Sequence, residues 1–294
     1  TGKYNARIAV DGDSYYYVYV AYISNSIFDT DVHFAKSTDF GVTWSPMDFT
    51  STGTDYCDIA YLTGGKLAIV TQASSGETGG LWCAIGSDYG SSWVGFNIAS
   101  SGFQPRIAAN GDDAVVVYTY RYSESDHDIK FVRTTDGGSS WDNGSVDVSY
   151  LDEKFPDVAA GETGFMTAYW EQGKIKFASL DYDEEYWSTG TDVSDEATAA
   201  ETYPAIAVSN EAPGGCPVVV WEEVYSAEDH DVRFDKNCCE EISPNLYAFP
   251  VEGTAPLDVT FKNQSTGSVD YFVIYFGDGD SSLADSVVHT YTEP

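Results

Sequence analysis

Five short stretches in which apolar residues follow a charged or small one recur along the chain. They are Arg7-Ile8-Ala9-Val10, Asp58-Ile59-Ala60-Tyr61, Arg106-Ile107-Ala108-Ala109, Asp157-Val158-Ala159-Ala160 and Ala205-Ile206-Ala207-Val208. From Ile8 through Ile59, Ile107 and Val158 to Ile206 the steps are 51, 48, 51 and 48 residues. A polar or glycine-rich turn follows each stretch, as at Asp11-Gly12-Asp13-Ser14 or Asn110-Gly111-Asp112-Asp113. Next comes a strand rich in β-branched and aromatic residues, at 15–23, 67–72, 114–120, 165–170 and 218–221. A third strand, as at 32–36 or 129–133, leads into a turn, and a tryptophan opens a fourth. The pattern predicts five units of four antiparallel strands, and arrays of such units are the blades of a β-propeller.

The turn before the tryptophan is written three times: Ser37-Thr38-Asp39-Phe40-Gly41-Val42-Thr43-Trp44, Gly86-Ser87-Asp88-Tyr89-Gly90-Ser91-Ser92-Trp93 and Thr134-Thr135-Asp136-Gly137-Gly138-Ser139-Ser140-Trp141. Asp39, Asp88 and Asp136 are expected to accept bonds from turn amides. Gly41, Gly90 and Gly138 are expected to take φ > 0, and Trp44, Trp93 and Trp141 to pack inward. The turn resembles the Asp-box, or BNR repeat, of sialidases and other β-propellers. Unit four keeps a worn copy around Asp181 and Trp187, and in unit five Asn237-Cys238-Cys239 stands in its place. Sialidases have six blades; five are expected here, over residues 1–242.

Beyond Pro244 the pattern changes. Strands are predicted at 245–251, 257–263 and 269–276, followed by Tyr275-Phe276-Gly277-Asp278-Gly279-Asp280 and His289-Thr290-Tyr291. This resembles the PKD domain, an Ig-like sandwich, and implies a second domain over 243–294. The family pattern continues with further strands, so the sandwich is expected to be completed by more chain or by a strand donated from a neighbouring copy. At the other end, Thr1 follows no Met and no charged-then-apolar leader, and a processed or excised portion of a longer product is expected.

Charge narrows the partners. Asp and Glu number 47 against 14 Lys and Arg, a formal charge of −33, which repels nucleic acid and anionic membrane. No stretch is long and apolar enough to span a membrane as a helix. Five cysteines match no metal spacing. Cys57 and Cys83 share one unit, and Cys216 shares another with Cys238 and Cys239, so two disulfides within units and an extracellular setting are expected.

Two sets of residues converge on the propeller face opposite the Asp turns. One is the ring at the start of the inner strands: Arg7, Asp58, Arg106, Asp157 and Ala205. The resemblance to sialidases implies an arginine clamp for a sugar carboxylate, to which Arg7 and Arg106 correspond. The ring offers no third arginine, and alternating charges are expected to form a salt-bridged plug. Glu171 and Glu222 end second strands on that face and are a candidate acid–base pair. The other set is Asp29-Thr30-Asp31, Asp126-His127-Asp128 and Asp229-His230-Asp231, whose Asp29, Asp31, Asp126, Asp128, Asp229 and Asp231 are candidate calcium ligands.

These readings combine into an all-β protein of two domains, a propeller of about five blades and an Ig-like sandwich. The expected function is a non-enzymatic extracellular or cell-surface structural or adhesion protein. Its expected partners are copies of itself or other surface proteins, joined by strand donation into a filament. A sialidase-type glycoside hydrolase is the first alternative and a glycan-binding propeller the second.

Overall fold

The computed structural model of the chain describes all residues except 1, 14–15, 26–29, 53, 74–75, 195–199, 210–215, 227, 237–244, 266–271 and 293–294. It divides into two compact units, Thr1–Lys236 and Asn237–Pro294.

The first unit is built of consecutive antiparallel sheets, each in simple up-and-down order. Sheet one holds β1 (Gly2–Val10), β2 (Val18–Asn25), β3 (Thr30–Ser37) and β4 (Ser45–Thr52). Sheet two holds β5 (Thr54–Tyr61), β6 (Leu67–Ala73), β7 (Leu81–Ser87) and β8 (Ser92–Ala99). Sheet three holds β9 (Phe103–Asn110), β10 (Asp113–Arg121), β11 (His127–Thr134) and β12 (Asp142–Asp147). Sheet four holds β13 (Glu153–Ala160), β14 (Gly164–Glu171), β15 (Lys174–Asp181) and the short β16 (Thr191–Asp192). Sheet five holds β17 (Ala200–Ser209), β18 (Cys216–Ser226) and β19 (Asp229–Lys236). The place of its fourth strand, with Cys238 and Cys239, falls outside the described residues. First strands are neighbours in chain order, β1 on β5, β5 on β9, β9 on β13 and β13 on β17. This is the blade-on-blade stacking of a propeller.

A separate core fills each gap between sheets. Tyr19, Phe34, Ile59 and Leu67 pack between sheets one and two, and Val70, Leu81, Ile107 and Val116 between two and three. Val117, Phe131, Val158 and Phe165 pack between three and four, and Met166, Ile206, Val219 and Trp221 between four and five. One residue of each inner strand from β5 to β17 serves this role towards the preceding sheet. Ile59, Ile107, Val158 and Ile206 are 3%, 6%, 8% and 8% exposed, whereas Ile8, in the same register position, is 64% exposed. Among the described residues nothing packs over it, so its methyl groups face solvent.

Strand alternation also corrects the disulfide expectation. Cys57 and Cys83 are both free and buried. Cys57 points into the core shared with sheet one and Cys83 into that shared with sheet three, so the sheet itself separates the two thiols. Cys216 is disulfide-bonded.

The second unit holds a sheet of β20 (Leu246–Phe249), β21 (Leu257–Asn263) and β24 (Ser286–Tyr291), and a pair of short strands, β22 (Ile274–Tyr275) and β23 (Ser281–Ser282). Val259, Phe261 and Ile274 form its core. An apolar groove of about 430 Å³, lined by Leu257, Phe261 and Tyr291, lies against this core.

Candidate functional site

Inner strands of the first unit carry a repeated distortion that aims one side chain each. The pairing of β1 with β2 slips between Tyr4 and Arg7, that of β13 between Lys154 and Asp157, and that of β17 between Thr202 and Ala205. In β9 the slip falls against Val117 and Thr119. At these bulges Asn5, Gln104, Phe155 and Tyr203 adopt φ of 53°, 54°, 56° and 50°. Left-handed backbone at a non-glycine residue costs on the order of 1–3 kcal/mol, and such strain concentrates at functional sites. Each of these residues stands two positions before a ring residue, and the bulge re-aims that residue.

In β5 the pairing slips between Thr54 and Tyr56 with no left-handed residue two positions before Asp58, yet Arg7, Asp58, Arg106 and Asp157 occupy equivalent places on successive strands. Asp58 Oδ1 accepts from the Ile59 amide at 2.9 Å and Oδ2 from the Ile107 amide at 3.1 Å, in the next sheet. Asp157 Oδ2 accepts from the Ile206 amide at 2.9 Å. Arg7 Nε lies 3.8 Å from Asp58 and Arg106 Nε 3.4 Å from Asp157. Burial pushes the Asp58 carboxyl up to about 6, against the opposing pull of Arg106, the Ile107 amide and Arg7. Asp157 is raised too, chiefly by burial, and burial lowers Arg106, with Arg7 adding to it. Arg7 is the least tied member: Nε is buried without a hydrogen bond, and its side chain is one-third exposed.

Glu171 and Glu222 do not join one another. Glu222 accepts from the Thr202 hydroxyl at 3.1 Å and pairs with His230 Nδ1 at 2.5 Å. Glu171 pairs with Lys176 at 3.2 Å. It lies instead with Asp147 and Glu153, ligand atoms of the three falling within 4.8 Å of one another. Register sets Glu153 directly opposite Glu171, and Glu153 is fully buried. Burial pushes Glu153 up to about 8, the Ser149 hydroxyl opposes this, and Asp147, Glu171 and Asp128 reinforce it. The sequence reading missed Glu153 and Asp147. The available signal was a glutamate four positions before the ring residue in both units four and five, Glu153 and Glu201.

The paired aspartates are dispersed. Asp29 lies outside the described residues, and Asp31 and Asp126 each keep one buried carboxylate oxygen without a hydrogen bond. Asp128 is buried, whereas Asp229 and Asp231 are exposed. Among the described residues none of them joins a group of three convergent ligands. The two such groups are Asp147, Glu153 and Glu171, and Asp278, Asp280 and His289. His127 in the middle of one pair holds Asp152 at 2.5 Å through Nδ1.

The repeated turns differ among themselves. Asp39 accepts from the Thr43 amide at 2.7 Å and its hydroxyl at 2.6 Å, and Ser37 Oγ donates to it at 2.8 Å. Asp136 repeats this with Ser140 at 2.9 and 2.7 Å and with Thr134 at 2.8 Å. These bonds hold Asp136 down at about 2. The second turn has Gly86 where the others have a hydroxyl, and Asp88 instead takes φ of 49° while its carbonyl accepts from Ser91. Trp44 and Trp93 donate to Gly41 and Gly90 carbonyls at 3.0 Å, but Trp44 is 41% exposed rather than packed inward. Trp141 Nε1 is buried without a partner.

No protein-family model matches the chain, and no curated protein matches it in sequence. Solved structures match its fold. One is a polysaccharide lyase, a PL25 ulvanlyase bound to -[GlcA(1-4)Rha3S]-, at a TM-score of 0.58 and 12% identity over 99% of this chain and 94% of that one. Another is the Penicillium chrysogenum α-L-arabinanase complexed with arabinobiose, at 0.53 and 11% over 89% and 88%. A third is a Hadza microbial sialidase, at 0.52 and 12% over 76% of this chain, which spans half the length of that enzyme. The shared fold is a β-propeller. These proteins are carbohydrate-active enzymes, and that finding runs against the expectation of a non-enzymatic structural or adhesion protein.

Proposed function

We propose that the chain is a glycan-active enzyme that cleaves glycosidic bonds at the ring of Arg7, Asp58, Arg106 and Asp157. The observation that carries this reading is the set of strained bulges two positions before Arg7, Arg106 and Asp157, which spends backbone energy to aim three of these side chains, with Asp58 paired to Arg7 beside them. Arg7, one-third exposed and with its Nε donor unused, suits with Arg106 the carboxylate or sulfate of an anionic sugar. Asp58, held near 6 by burial, is the proton donor to the departing sugar oxygen, a role that calls for a carboxyl titrating close to working pH. Asp157 keeps Arg106 in place. The fold likeness to a lyase, an arabinanase and a sialidase supports the same reading.

We further read the repeated turns as Asp-boxes and the C-terminal unit as PKD-like. The Asp39 and Asp136 hydrogen-bond pattern and the Asp278–His289 contact at 2.6 Å support this. The bonded Cys216 supports an extracellular setting.

The test is incubation of the whole chain with a sialoside, an arabinan and uronate-containing polysaccharides. Reducing ends report hydrolysis, and unsaturated uronate reports elimination. Turnover that disappears in Arg7→Ala and Asp58→Asn, with the melting temperature kept, is expected. Turnover unchanged in both variants would place the chemistry elsewhere, and no turnover on any of the substrates would sink the reading.

A further inference from the structure

We propose that Asp147, Glu153 and Glu171 hold one calcium ion between sheets three and four. Asp147 ends β12 of sheet three, while Glu153 and Glu171 lie across from each other in β13 and β14 of sheet four, so an ion here ties two blades together. Their ligand oxygens converge within 4.8 Å. The independent sign of a missing partner is Glu153 itself. It is 0% exposed; one carboxylate oxygen accepts from the Ser149 hydroxyl, and the other, Oε2, is buried with no hydrogen bond. A buried acceptor without a partner is rare in folded proteins, and a bound cation removes the deficit.

Charge points the same way. Like charges directly opposite in a sheet destabilise it. Three carboxylates meet one ammonium, Lys176 on Glu171 at 3.2 Å, which Asp192 shares at 2.8 Å, so at least two negative charges are left when all are ionised, and a divalent ion offsets them. The donors are oxygens only. The Tyr169 hydroxyl donates to Asp147 Oδ2 at 2.6 Å and orients that carboxylate, as second-layer groups do at metal sites. Irregular, carboxylate-rich oxygen clusters suit calcium, which accepts six to eight ligands in flexible geometry, better than magnesium, which demands a near-octahedral set. The site is independent of the ring chemistry.

The experiment is calorimetric titration of chelator-treated whole protein with calcium chloride, with magnesium chloride in parallel and melting temperature as a second readout. Asp278→Asn removes a carboxylate from the other convergent group and serves as control. The expected result is calcium binding that survives Asp278→Asn and weakens at least about tenfold in Glu153→Gln, in line with the sensitivity of metal sites to lost ligand support. If Glu153→Gln does not fold, Glu171→Gln is read in the same way. Absence of calcium binding, binding unaffected by either glutamate change, binding lost in Asp278→Asn, or magnesium bound as tightly as calcium would each overturn the proposal.

Discussion

Replacing Ile59 and Ile8 by alanine, one at a time, tests how the blades are held. The two residues hold the same register position, each between a charged residue and an alanine: Ile8 pairs with Val20 and Ile59 with Ile69, each across to the second strand of its sheet. Ile59 is 3% exposed and packs with Tyr19, Phe34 and Leu67. Truncating it removes buried methyl and methylene groups and leaves a cavity between rigid sheets, a loss of about 2–5 kcal/mol. Ile8 is 64% exposed. Full burial of such a side chain is worth about 1.5–3 kcal/mol, so the third that is buried is worth about 0.5–1 kcal/mol, with no closed cavity to add to it. Urea unfolding followed by tryptophan fluorescence measures both. A midpoint lowered strongly by Ile59→Ala and slightly by Ile8→Ala is expected. Equal losses would refute the reasoning, because they would mean that Ile8 is covered as its counterparts are.

Gly138→Ala and Gly111→Ala both place a side chain at positive φ, 88° and 66°, but the new Cβ would lie 2.6 Å from Ile85 at position 138 and would meet open space at 111. Thermal melts should show the larger loss at 138, and parity would contradict the packing described between sheets two and three. The Asp58 carboxyl should titrate near 6 by carbon-detected NMR. As this lies above its unfolded value, the stability it contributes is full below about 4 and is lost as pH rises through 6; a pH dependence unchanged in Asp58→Asn would count against it. Asp136 has the opposite sign: its carboxyl, held at about 2 by Ser140 and Thr134, should contribute stability above about 4 that is lost as pH falls towards 2. A midpoint at the ordinary aspartate value in an NMR titration would remove the turn bonds from the account.

The sequence by itself determined the repeat. Hydrophobic alternation with steps near 50 residues is a local property of each strand, and it fixed the strand order, the sheets and the equivalent placing of Arg7, Asp58, Arg106 and Asp157. The pairs Arg7–Asp58 and Arg106–Asp157 follow from that placing, because residues at one register position of adjacent inner strands stand side by side. What the sequence left open depends on which face of a sheet meets which neighbour. Cys57 and Cys83 share a unit but lie on opposite sides of it. Ile8 and Ile59 share a motif but differ in burial because, among the described residues, a preceding sheet packs over Ile59 alone. Asp88 shares a turn with Asp39 but lacks the hydroxyl two residues earlier that would bind it. The Asp147, Glu153 and Glu171 cluster joins two sheets across a loop, a proximity that no strand period encodes and only the stacking of blades creates.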